Sequence, residues 1–136
     1  MRKISCAGVV FINENNKVLL EDRRRIKKHG EHWSFFGGSI EEGETPEQTM
    51  KREIKEEMGF DMKDYKYFKK YIFVPKNNPD LEITYHMYIA KTPNIDELTI
   101  HSKGDKKEFT IKQALRLKIT EIDRKILKDV RNYRTQ

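Results

Sequence analysis

Glu53, Glu56 and Glu57 stand at i, i+3 and i+4, so in a helix all three carboxylates project from one face. Splayed into water, like charges at this spacing cost only about 0.2–0.5 kcal/mol per pair. Converging at about 5.5 Å, with an effective dielectric of about 20, each pair costs about 3 kcal/mol, and a cation has to offset it. Hard oxygen ligands that leave room for water and phosphate suit Mg2+, or Mn2+ in its place. Two readings stand at this level: a solvated acidic helix face, and a metal site on the wall of a cleft.

The neighbours of the triad sharpen the question. Arg52 precedes Glu56 by four residues and Glu44 lies on the loop before the helix, so an Arg52 to Glu44 pair would tie loop to helix. Gly37 and Gly38 would let the backbone approach an ion and offer it a carbonyl, or would merely make a turn. The helix itself is marked at both ends. Thr45 is the N-cap, Pro46 takes the first helical position, Gln48 completes a capping box, and Gly59 follows the last turn. Met50, Ile54 and Met58 supply its apolar face.

Charge is unevenly spread. Residues 41–57 hold seven acids and three bases, a net of −4 in a chain of net +6, which leaves +10 elsewhere. An acidic island in a basic body suits a protein that holds a cation at one point and draws a polyanion to the surrounding surface. The 136 residues fit one domain, residues 1–136. The longest uninterrupted apolar run, residues 7–12, is far short of the roughly 20 a membrane span needs. Arg2 and Lys3 before the apolar residues 4–12 have the polarity of a short signal segment, but no small-residue cleavage site follows Ile12. The lone Cys6 has no internal disulfide partner, and the expected compartment is a reducing cytoplasm.

The elements that must position the helix read as follows. Residues 4–12 predict a strand covered on both faces, residues 13–16 a turn, and residues 17–21 a second strand closing a hairpin. The basic stretch from Arg23 to Lys28 reads as a loop, residues 33–36 as a short apolar segment, and Gly37-Gly38 as a break. Residues 65–74 and 81–89 predict two strands joined by the turn at 77–80. Phe109 ends a weak strand, Thr110 caps a short helix through Ala114 and Leu115, and Thr120 starts a longer one with the stripe Ile122, Ile126, Leu127, Val130 and Tyr133. The order predicts an α/β protein with sheet between helices. His29, His32, His86 and His101 show no metal spacing.

Gly38, Glu44, Arg52-Glu53-Ile54, Glu56-Glu57 and Gly59-Phe60 occupy every fixed position of the pattern G-x5-E-x7-R-E-U-x-E-E-x-G-U, with U a bulky apolar residue. In this the chain resembles the Nudix hydrolases, and residues 17–23, Trp33 and residues 109–127 are similar to flanking parts of MutT-like members. The resemblance implies an α/β/α sandwich with a mixed sheet between helices. It also implies Mg2+-dependent cleavage of the pyrophosphate linkage in a nucleoside diphosphate linked to X, foremost a (d)NTP. ADP-ribose, a dinucleoside polyphosphate, an RNA 5′ end and a non-catalytic nucleotide sensor are the alternatives.

By the same resemblance Glu56, Glu57 and the Gly38 carbonyl are metal ligands, and Glu53 is the general base or a further ligand. Arg52 and Glu44 are the orienting pair, and Arg23 contacts phosphate. Trp33, with Phe35, flanks a base or packs beside the sheet. The implied partner is a small phosphorylated nucleotide. Nucleic acid is compatible with the charge without being favoured, no membrane is expected, and both monomer and homodimer are compatible. Two departures stand out: Phe36 replaces the family's usual proline, and none of Glu97, Asp105 and Glu108 clearly matches the extra acid of many members. Pro75 falls near a proline of ADP-ribose-cleaving members, and a turn explains it equally well.

Overall fold

The structure is a computed structural model and describes residues 1–24, 30–94 and 105–134. β1 (Arg2–Ile12) is central to a seven-stranded sheet because both of its faces are apolar. Ala7, Val9 and Phe11 enter one core layer, Val10 and Ile12 the other. The Asn13 side chain accepts from the backbone of Asn15 and Lys17, and Asn16 takes φ 61°. This tight turn returns β2 (Lys17–Asp22) antiparallel to β1, the predicted hairpin.

β6 (Leu81–Lys91) runs parallel to β1 along its whole length, and β5 (Lys66–Phe73) pairs antiparallel with β6 as the edge of the sheet. On the other side β3 (Trp33–Ser34) and β7 (Lys106–Thr110) both pair with β2. β4 (Phe36–Ser39) uses the same edge of β1 as β2 does, further back along the strand. Phe36 faces Val9 and Ser39 faces Cys6, whereas Val18 faces Ile12. The sheet therefore forks between Glu21 on β2 and Gly38 on β4.

Gly37 and Gly38 are not a break but the middle of β4, and the reason is steric. A Cβ on Gly37 would stand 2.4 Å from the Ala7 carbonyl oxygen and 2.6 Å from the Gly8 Cα. The strand can lie this close to β1 only without a side chain there.

α1 (Pro46–Met58) has the predicted ends. The Thr45 hydroxyl accepts from the Gln48 N–H, the Gln48 side chain accepts from the Thr45 N–H, and Gly59 closes the helix at φ 64°. Met50, Ile54 and Met58 are fully buried against Ala7, Val9, Leu19, Phe36 and Tyr88. The opposite face of the sheet is covered by α2 (Ile111–Ala114) and α3 (Glu121–Arg134), the latter through Ile126, Leu127 and Val130. The result is an α/β/α sandwich around a mixed sheet. No helix among the described residues is long and apolar enough to cross a membrane.

Ile54 anchors α1 from the centre of its buried stripe. Ile54→Ala should lower unfolding free energy by about 2–5 kcal/mol in urea titrations. A loss below about 1 kcal/mol would show that the helix is not held by this packing.

Candidate active site

The loop before α1 is fastened to the helix by one carboxylate. Arg52 donates to Glu44 from Nε at 2.7 Å and from Nη2 at 3.0 Å, a bidentate pair. Glu44 also accepts from the Thr49 hydroxyl at 2.7 Å and from the Glu41 N–H at 3.0 Å. These contacts, the Arg52 hydrogen bond foremost, hold Glu44 down at about 2. Arg52 also reaches the Ser39 carbonyl on β4 at 3.2 Å, Glu53 at 3.0 Å and Glu56 at 3.4 Å. One guanidinium thus joins the loop, β4 and the acidic face of α1.

The three helix glutamates do not behave alike. Glu53 leans onto β4: a Cβ at Gly38 would fall 2.4 Å from its carboxyl carbon, so glycine makes the room this carboxylate occupies. Glu57 points inward, and its Oε2 is buried without a hydrogen-bond partner. Burial first, then the charge of Glu21 and a hydrogen bond with Glu53, push its carboxyl up to about 9. Glu56 is 59% exposed at its side chain and leans towards Arg52. Among the described residues no three metal-binding side chains are gathered at ligand geometry. Of the three expected ligands, Glu53 and Glu57 thus lie in hydrogen-bonding reach of each other, and Glu56 lies towards solvent, 3.4 Å from Arg52.

Glu21 was not anticipated. It ends the run Val18-Leu19-Leu20-Glu21 on β2 and is buried at 3% exposure. The signal was available, since Glu21 shares strand parity with Leu19, which packs under α1. Arg23 is held between Glu21 at 2.9 Å and Glu31 at 3.0 Å. Both of these carboxylates are nearly buried, and the Glu31 Oε2 has no partner. Arg23, the cation expected to contact phosphate, thus pairs with two protein carboxylates.

Asp123 was also missed, although it sits on the apolar stripe of α3 four residues before Leu127. It is 5% exposed, and burial, then the charge of Glu31, raise it to about 7 against the pull of Thr120, Arg23 and the Phe35 N–H.

The remaining candidates lie elsewhere. Trp33 is buried and meets Phe109 edge-to-face at 4.9 Å, with Arg24 over its ring at 5.3 Å. Its ring is core, and Phe35 is buried in the same layer. Phe36, in place of a proline, fills the α1 layer edge-on to Phe11. Glu108 accepts from Asn13 at 2.6 Å at the hairpin turn, and Asp105 is exposed before β7. Arg25, Lys27, Lys28, His29, Glu97 and His101 lie outside the described residues.

The NUDIX domain model matches residues 2–130. The chain belongs to the Nudix hydrolase family. It is 33% identical to the 8-oxo-dGTP diphosphatase of Escherichia coli over 91 residues, 67% of this chain and 68% of that protein. It is 45% identical to the RNA pyrophosphohydrolase of Vibrio atlanticus over 60 residues, which are 43% of this chain and only 32% of that protein. The MutT Nudix hydrolase structure from Burkholderia pseudomallei superposes with TM-score 0.78 at 19% identity, covering 96% of this chain and 99% of that one, a likeness of fold.

Asp123 generates a pH test. Its carboxyl is raised from 3.8 to about 7, so the folded state keeps a proton that the unfolded chain has lost, and stability falls as pH rises through that window. Asp123→Asn should remove a slope of at most about 1.4 kcal/mol per pH unit between about pH 4 and 7, read from urea midpoints. Parallel curves for parent and variant would contradict this assignment.

Proposed function

We propose that this chain is a divalent-metal-dependent pyrophosphohydrolase of small phosphorylated nucleotides, foremost nucleoside triphosphates. The observation that carries the reading is the inward-turned Glu57, with an unpartnered buried oxygen between Glu53 and Glu21. Natural chains rarely leave such an oxygen without a proton or cation to meet it. The donor set there, carboxylates beside the glycine backbone of β4, is all oxygen and fits Mg2+ or Mn2+ better than Zn2+. Glu57 and Glu53 would hold the ion with the Gly38 carbonyl, and Glu56 would join by swinging back from Arg52. Bound there, the ion would neutralise diphosphate oxygens and favour ionisation of an attacking water.

The chain's own residues supply the rest. Glu53, steadied through Oε1 by Arg52, accepts the water's proton as the new P–O bond forms and the bridging P–O bond breaks. Arg52 keeps its charge at every working pH, because the Glu44 carboxylate raises an already high value. Glu44 in turn fixes where Arg52 can point, so this pair positions and does not react. The net +10 outside the acidic island draws the anionic substrate in and does not select its base. The Vibrio relative, an RNA pyrophosphohydrolase, supports as a second reading the same chemistry at an RNA 5′ end.

A panel of nucleoside triphosphates, ADP-ribose, a dinucleoside polyphosphate and 5′-triphosphorylated RNA, incubated with Mg2+ and resolved by chromatography, tests the reading. Pyrophosphate or phosphate release that stops in EDTA and returns with Mg2+ or Mn2+ is expected. Binding without any cleavage would make the chain a sensor. Glu53→Gln should cut turnover at least about a hundredfold with substrate binding largely kept, because it removes a charge with little change of shape. Undiminished turnover would refute Glu53 as the base.

A further inference from the structure

We propose that the α1-side face of β5 and β6 is a stacking surface for single-stranded nucleic acid. This goes beyond the hydrolase reading and does not rest on it. α1 divides the sheet face into two flanks. Glu53 and Glu57 look towards β4 and β2, whereas Glu47 and Lys51 look towards Tyr65, which donates to Glu47 at 2.9 Å and lies under the Lys51 ammonium at 5.7 Å.

Beyond Tyr65 the rings form a ladder. Tyr65 meets Tyr88 edge-on at 5.9 Å, Tyr88 meets Tyr67 at 5.2 Å, and Tyr67 meets His86 at 6.0 Å. The Tyr67 hydroxyl lies 2.9 Å from His86 Nδ1. Cross-strand register puts the ladder on one face, with Tyr67 opposite Tyr88, Lys70 opposite His86 and Ile72 opposite Thr84. Tyr88 packs under α1, which fixes this face as the helix side of the sheet.

The far end of the ladder is bare. Tyr67 is 50% exposed and Ile72 57%, large apolar groups that a water-facing sheet has no reason to present together. Tyr67 is nonetheless braced by two rings and one hydrogen bond, so stacking a base on it costs little side-chain freedom. Lys51 and Lys70 on this face join no ion pair among the described residues, while its acids Glu47 and Glu82 are engaged by Tyr65 and Lys3.

Rings for bases and ammonium groups for phosphates, on an open sheet, are the elements with which sheet surfaces take single strands. A second copy of this chain fits less well. Each copy carries +6, and Lys66, Lys69 and Lys70 on the edge strand are the residues that discourage strand-to-strand association.

The test is fluorescence anisotropy of a labelled oligouridylate of about twelve nucleotides in EDTA and low salt, where no metal-dependent cleavage or phosphate capture intervenes. The parent should bind with an affinity that falls as salt rises. Tyr67→Ala should weaken binding about tenfold or more, Tyr67→Phe should keep most of it, and Lys70→Ala, at an exposed site, should reduce both affinity and salt slope. Unchanged melting midpoints and unchanged nucleotide hydrolysis confine the effect to this surface. Absence of binding by the parent, or equal binding by Tyr67→Ala, would overturn the proposal. So would a sedimentation profile in which Tyr67→Ala only splits a dimer.

Discussion

Glu57 is pressed into the molecule beside Glu53 from its own helix and Glu21 from β2, and one of its oxygens has nothing to bond. Burial and its anionic neighbours keep the Glu57 carboxyl protonated up to about 9. Ile54, Met50 and Met58 hold α1 flat on the sheet, and Gly38 opens the space into which Glu53 leans. A divalent cation entering there would displace that proton and meet carboxylates that apolar packing already holds in place.

Two arginines organise the surrounding charge, each by a different route. Arg52 is bound by loop and helix together, and its charge spreads over Glu44, Glu53 and Glu56. Arg23 is sunk between Glu21 and Glu31, with Asp123 adding a further buried acid from α3. The second group ties β2, the segment before β3 and the last helix into one polar knot at the fork of the sheet. It keeps Glu21 close to Glu57, and so contributes to the field there although it lies outside the glutamate motif of α1.

Legibility followed periodicity. Thr45, Pro46, Gln48 and Gly59 announce α1 to within a residue because capping is local chemistry, and the hairpin at Asn13 to Asn16 is equally local. Gly37-Gly38 misled because glycine pairs mark turns more often than strands, and only the tertiary approach of β1 explains them. Arg23 was expected at phosphate, and its ion pairs with Glu21 and Glu31 left no mark in the sequence because neither rests on a periodic pattern. Spacing alone puts Glu56 on the same face as Glu53 and Glu57 and does not tell that it lies 59% exposed beside Arg52. The aromatic ladder was invisible for a related reason: Tyr67 and His86 are 19 residues apart and meet only through strand register.

If Glu57 and Glu53 are to hold a divalent ion, they must do so before any nucleotide arrives. Electron paramagnetic resonance of free Mn2+, titrated with the nucleotide-free protein, tests it most directly. One ion bound per chain, displaced by Mg2+ and weakened on the order of tenfold or more by Glu57→Gln, is the predicted result. No binding by the parent, or binding indifferent to Glu57, would contradict it.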